Sequence, residues 1–249
     1  MFKDYGPLST AVYEITKPIG YSIDGDIEFY AKRLKNVTGS ILEIGSGTGR
    51  VMIPLLQQGY KVHGVDTSWN MIQSNKRNLD QFNLDTVIFH DNAMTMALEH
   101  SYDAIIMPSG TFCLITQYES MVAMVKNIYT HLNTGGRFIF DILLPDDFIV
   151  GSSHTSFVNI TENCGIVWEM KSLSMDWHTQ TTHSLIKYEK WKDGELIDTE
   201  LQNFPIVWYG IQEMTLLLQT IGFQDVIIST NYQFKHHANG NIITLEATK

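Results

Sequence analysis

Hydrophobic positions along the chain fall into two regimes. Between residues 41 and 142, apolar runs at 41–44, 61–66, 86–91, 102–107 and 137–142 are short and nearly uninterrupted. Such runs read as strands buried on both faces, the pattern of a parallel sheet. Between them apolar residues recur at helical spacing, as in Val51, Leu55 and Leu56, or Met121, Val125, Ile128 and Leu132. Alternating strands and helices predict an α/β fold with a doubly wound sheet. Ahead of the first strand, Ile27, Tyr30, Ala31 and Leu34 mark an amphipathic helix over 26–34.

From about residue 155 to 207 the helical spacing disappears. Ile166, Trp168 and Met170 alternate, and Leu173, Met175 and Trp177 then alternate in the opposite phase, which predicts a long strand with a bulge. Asp193-Gly194 lies between two strand-like runs and signals a hairpin. A short helix over 212–221 with Met214, Leu217, Leu218 and Ile221 inward, closed by Gly222, leads to strands at 223–229 and 241–247 around a polar loop.

The chemistry centres on Glu43-Ile44-Gly45-Ser46-Gly47-Thr48-Gly49, where the first strand runs into a glycine turn that opens a helix. A phosphate-binding P-loop requires a Gly-Lys-Ser/Thr that is missing from this turn. The dinucleotide fingerprint puts its third glycine at the position occupied by Arg50. An acid two residues before Gly-x-Gly-x-Gly instead resembles motif I of the class I S-adenosylmethionine (SAM)-dependent methyltransferases.

That resemblance implies a Rossmann-like seven-stranded sheet with a terminal antiparallel strand, and SAM as cofactor. Glu43, Gly45, Ser46, Gly47 and Gly49 would hold its methionine part. Asp66 closes the second strand, 21 residues after Gly45, where it would accept from the ribose hydroxyls, with Thr67 and Met71 in the turn that follows. Asp91 closes the third strand and would meet the adenine amino group, with Asn92 and Ala93 beside the ring. Taken alone, Asp66 also reads as a helix-capping acid and Asp91 as a turn-capping one. Met107, Ser109, Gly110 and Thr111 follow the fourth strand where cofactor and substrate would meet. Tyr13, in an aromatic N-terminal segment, would fold over the cofactor. The resemblance runs from about residue 26 to 145.

Residues 1–150 and 208–249 are thus expected to form the SAM-binding unit. Residues 151–207 form an inserted antiparallel β lid, either a wall of the substrate site carrying Trp168 and Trp208 or a homodimerisation sheet. His178 and His183, five apart on a strand, would face opposite sides, and His236-His237 are adjacent, so no metal site is expected. Cys113 reads as buried filler.

Composition narrows the partners. The 249 residues are 44% hydrophobic and 18% charged, with a formal net charge of −10 and no basic run, which disfavours a nucleic acid. No apolar run spans a bilayer, the first five residues lack signal-peptide regions, and two cysteines make no framework, so no membrane is involved and cytoplasmic residence is the default. The expected activity is transfer of a methyl group to an N- or O-nucleophile on a small molecule by direct displacement. An amine or other cation would suit the acidic balance and aromatic lid. Two other classes remain: a non-catalytic SAM- or nucleotide-binding module, and an NAD-dependent oxidoreductase, which the glycine spacing disfavours.

Overall fold

The computed structural model describes residues 5–234 and 240–249. In chain order the elements are α1 (Pro7–Thr16), α2 (Asp26–Arg33), β1 (Ser40–Ile44), α3 (Met52–Gln57), β2 (Lys61–Asp66), α4 (Trp69–Gln81), β3 (Ile88–His90), β4 (Tyr102–Met107), α5 (Tyr118–His131) and β5 (Leu132–Leu143). They continue with β6 (Ser153–Thr161), β7 (Cys164–Asp176), β8 (Thr181–Lys192), β9 (Glu195–Val207), α6 (Ile211–Ile221), β10 (Gln224–Thr230) and β11 (Ile242–Thr248).

The strands form two sheets. A seven-stranded sheet has the order β10-β11-β5-β4-β1-β2-β3, with β1, β2, β3, β4 and β5 parallel. The last strand, β11, runs antiparallel to both neighbours, as the glycine-motif resemblance implied. Order reverses between β1 and β4, so the carboxyl ends of those two strands flank the crevice where such sheets bind ligands. Apolar layers cover both faces: α5 and α6 pack on one through residues such as Met121, Val125 and Leu218, and α2, α3 and α4 on the other through Tyr30, Met52 and Leu79.

A separate four-stranded antiparallel sheet, β6-β7-β8-β9, carries the expected phase change as a register shift between Ser172 and Ser174. Asp193 and Gly194 turn the β8–β9 hairpin with φ of 51° and 83°, the left-handed pair a two-residue hairpin needs. One face of this sheet receives α1: Leu8 and Val12 pack against Val158, Ile166, Ile186 and Tyr188. No helix among the described residues is long and apolar enough to cross a membrane.

Two local expectations are corrected. The apolar run at 137–142 and the helical spacing through Leu132 predicted a strand beginning at 137, but β5 already begins at Leu132. The chain end explains it, because Gly135 N–H donates to Lys249 O and Lys249 N–H to Gly136 O, which ties the stretch to the sheet although Gly135 keeps a left-handed φ of 77°. The third strand is also shorter than the predicted 86–91, spanning Ile88–His90.

Candidate cofactor and acceptor site

The glycine turn is built by φ values that only glycine adopts without strain. Gly45 has φ of 71° and a Cβ there would collide with the Thr111 side chain, while Gly49 has φ of 90° and a Cβ on it would lie 2.6 Å from Asn75 Oδ1. Two amides of α4 hold the turn from outside: Asn75 Nδ2 donates to Gly47 O at 3.1 Å and Asn78 Nδ2 to Thr48 O at 2.9 Å.

Above the turn lies a cavity of about 30 Å³ lined by Tyr13, Glu43, Gly45, Ser46, Arg50, Val51, Pro108, Ser109 and Thr111. Six residues singled out in the sequence therefore meet here from three separate segments. Arg50 lines the cavity although the sequence did not single it out as a site residue. Its guanidinium is buried and pairs with the buried Asp26 carboxylate, Nη2 to Oδ2 at 2.5 Å and Nη1 to Oδ1 at 3.1 Å. It also donates to Tyr21 O at 2.7 Å and Ser109 Oγ at 2.5 Å. The phenol of Tyr13 faces this guanidinium, and burial raises the Tyr13 pKa despite the neighbouring positive charge.

Glu43 is 3% exposed. Burial pushes its carboxyl up to about 8, with Asp26 and Asp66 adding to the rise and Arg50 opposing it. Among the described residues eight buried side-chain polar atoms lack a hydrogen-bond partner, and five of them lie in or against the glycine turn: Glu43 Oε2, Ser46 Oγ, Thr48 Oγ1, Arg50 Nε and Asn75 Oδ1. Buried polar atoms are normally paired, so this concentration marks a surface shaped for a polar ligand.

Along the neighbouring strand ends, Asp66 accepts from Gly47 N–H through Oδ2 and from Ser68 N–H through Oδ1, both at 2.8 Å. The helix cap itself is Ser68, whose Oγ accepts from Met71 N–H, and Met71 is buried. Thr67 is exposed. Asp91 Oδ1 accepts from Asn92 N–H at 2.7 Å, and Asn92 Oδ1 from Met94 N–H at 2.9 Å. Ala93 is buried beside them. The side chain of Met107 belongs to the core with Leu42 and Phe140 and does not line the cavity. Trp168 packs on the α1 cluster and Trp208 edge-on to Trp177 at 5.4 Å; neither lines the cavity.

Cys113 is buried filler, its thiol pushed up to about 12 by burial. No group of three or more metal-ligating side chains gathers among the described residues, and His236 and His237 lie outside them.

Residues 41–136 match the model of a methyltransferase domain. A cypemycin N-terminal methyltransferase from Streptomyces is 27% identical over 110 residues, 44% of each protein, so the matched stretch spans less than half of that relative. The sugar N-methyltransferase KedS8 from Streptoalloteichus superposes with a TM-score of 0.79 at 15% identity, over 100% of this chain and 95% of its own. CalS10, an amino pentose methyltransferase from Micromonospora echinaspora solved with SAM bound, superposes at 0.71 with 16% identity over 100% and 99%. The glycine turn, the strand order and the antiparallel last strand agree with that match, so residues 41–136 carry a methyltransferase domain of the class I, S-adenosylmethionine-dependent kind.

Proposed function

We propose that the chain methylates an amine nitrogen on a small polar molecule. The cluster of unpaired buried groups facing Ser109 across the cleft supports the cofactor half of the reading, and the neutral, ring-flanked face of the four-stranded sheet supports the acceptor half. Glu43 Oε2 is an acceptor without a donor and Arg50 Nε a donor without an acceptor, a complement to the ammonium and carboxylate of an amino acid end. Glu43 and Arg50 would hold the methionine part of the cofactor, Asp66 its ribose, and the Asp91–Ala93 turn its adenine.

S-adenosylmethionine supplies an electrophilic methyl group on a sulfonium. What remains for the chain is alignment and exclusion of water. The cavity of about 30 Å³ has room for little more than a water, so Tyr13 and α1 move aside for the cofactor and return over it. A neutral amine attacks through its own lone pair and sheds its proton after transfer, so the site must orient it and need not deprotonate it first.

The four-stranded sheet supplies the acceptor wall in this reading. On the face toward α1, β8 and β9 carry buried Thr182, Ser184 and Gln202 beside Met170, Trp168 and Phe204. Neutral hydroxyl and amide groups among rings suit a polar, uncharged framework bearing the amine. Residues 151–207 thus act as a substrate subdomain and 1–150 with 208–249 as the cofactor unit. The similarity to KedS8, a sugar N-methyltransferase, CalS10, an amino pentose methyltransferase, and the cypemycin N-terminal methyltransferase points the same way.

The test is incubation with labelled SAM and paired acceptors that differ only in amine versus hydroxyl, amino sugars among them, read by mass spectrometry. Label on the amines alone is expected. Methylation of the alcohols and not the amines would refute the assignment.

A further inference from the structure

Behind the cleft lies a buried carboxylate that the proposed chemistry does not use. Asp141, at the carboxyl end of β5, is 0% exposed. Its Oδ2 accepts from Ser109 N–H at 2.7 Å and Tyr232 Oη at 2.9 Å, and its Oδ1 from the hydroxyl of its cross-strand partner Thr244 at 2.7 Å. Tyr30 faces it from α2. An anion is thus kept out of water by donors from three separate segments, an arrangement whose assembly costs free energy unless every partner is in place.

Ser109 is where this carboxylate meets the cleft. It has φ of 59°, a left-handed conformation that costs a residue with a Cβ on the order of 1 kcal/mol. The hydroxyl of Ser109 donates to Asp26 Oδ2 at 3.1 Å and accepts from Arg50 Nη2. The next residue, Gly110, is left-handed too, with φ of 73°. The loop after β4 is therefore bent in two successive residues beside the cleft, and its clamp comes from β5.

We propose that Asp141 is a positioning residue of the transfer site, which by accepting from Ser109 N–H holds the loop after β4 in the bend that sets the acceptor against the methyl group. The assignment rests on the function proposed above for its role in turnover, but not for its role in the loop. Arg50 keeps Asp26 and Tyr21 as partners when Ser109 is released, so cofactor binding is largely spared and alignment is lost.

The chemistry of the partners gives a discriminating pair of variants. Tyr232 and Thr244 carry hydroxyls that can turn round and accept, whereas the Ser109 N–H can only donate. Asp141→Asn therefore preserves the bonds to Ser109 and Tyr232 on its retained oxygen, with the amide NH2 facing the reoriented Thr244 hydroxyl. Asp141→Ala removes it.

Two readouts are compared in wild type and both variants: hydrogen exchange at the Ser109 amide, and methyl transfer to an amine acceptor alongside calorimetric SAM affinity. Asp141→Ala should raise exchange at Ser109 at least tenfold and lower kcat at least tenfold, with SAM affinity changed less than threefold. Asp141→Asn should stay within threefold of wild type throughout. A folded alanine variant with unaltered Ser109 exchange overturns the proposal. So does an asparagine variant impaired more than tenfold, which decides the matter even if the alanine variant fails to fold. Failure of the wild type to methylate any amine, with the exchange result intact, would strike only the proposed function.

Discussion

Helix α1 is held by a residue nearly two hundred positions away, and cutting that tie should loosen the cofactor site from outside it. The Glu200 carboxylate, from β9, accepts from the backbone N–H of Gly6 at 3.1 Å, Leu8 at 2.9 Å and Ser9 at 3.3 Å, and from Ser9 Oγ at 2.5 Å. An anion on the free amides of a helix start is favoured by both hydrogen bonding and the helix dipole. Hydrogen bonds to a charged group are each worth about 1.5–3 kcal/mol, set against the cost of keeping the carboxylate out of water. The net loss in Glu200→Ala is then about 2–4 kcal/mol. Burial of Leu8 and Val12 against the sheet contributes a further 3–6 kcal/mol or so, so α1 stays docked most of the time but opens more often.

Opening of one helix is cheaper than global unfolding, and exchange of its amides reports it. At 1.4 kcal/mol per factor of ten, amides of residues 10–16 should exchange roughly 30-fold to several hundredfold faster. Peptides from the seven-stranded sheet should be unchanged. Because α1 carries Tyr13, the fraction of closed site falls and SAM affinity falls with it. Glu200→Gln, with one acceptor retained, should lie between. Wild-type exchange in α1 of a folded Glu200→Ala protein would refute the reasoning.

Two further predictions address the cradle. Asp66→Ala should weaken SAM binding at least tenfold in calorimetry, since it loses the proposed ribose acceptor and frees Gly47 N–H and Ser68 N–H; unchanged affinity would take Asp66 out of the site. Glu43, raised to about 8, favours the folded protein below its unfolded value near 4.5 and loses that contribution as pH rises through 8. Glu43→Gln should therefore melt above wild type at pH 8.5, by up to about 4 kcal/mol, with the difference vanishing below pH 5. Parallel melting curves across that range would contradict the burial argument.

The sheet was legible because each parallel strand is a continuous apolar run and each helix between has its own period. Even the β7 bulge showed as a phase change. Glu43, Gly45, Ser46, Ser109 and Thr111 were found together because a glycine turn and a strand-end loop must meet at the reversal of strand order. What escaped depends on distant partners. Helix α1 starts at Gly6 with no capping side chain of its own, since its cap is Glu200. Arg50 reads locally as the residue where a third glycine is missing, and only its pairing with Asp26, 24 positions earlier, turns it into a wall of the cleft. Asp141 closes a strand as Asp66 and Asp91 do, and only its bonds from Ser109 and Tyr232, 32 and 91 positions away, make it a clamp. Strand alternation turns the Met107 side chain into the core, although its neighbour Pro108 lines the cavity.

The central claim is that the cleft over the glycine turn binds an adenosyl amino acid. Calorimetric titration of the folded protein with SAM, S-adenosylhomocysteine and NAD in parallel tests it most directly. Saturable one-to-one binding of both adenosyl compounds, lost together in Asp66→Ala, with no heat from NAD, is the predicted result. Binding of NAD alone, or of none of the three, would contradict it.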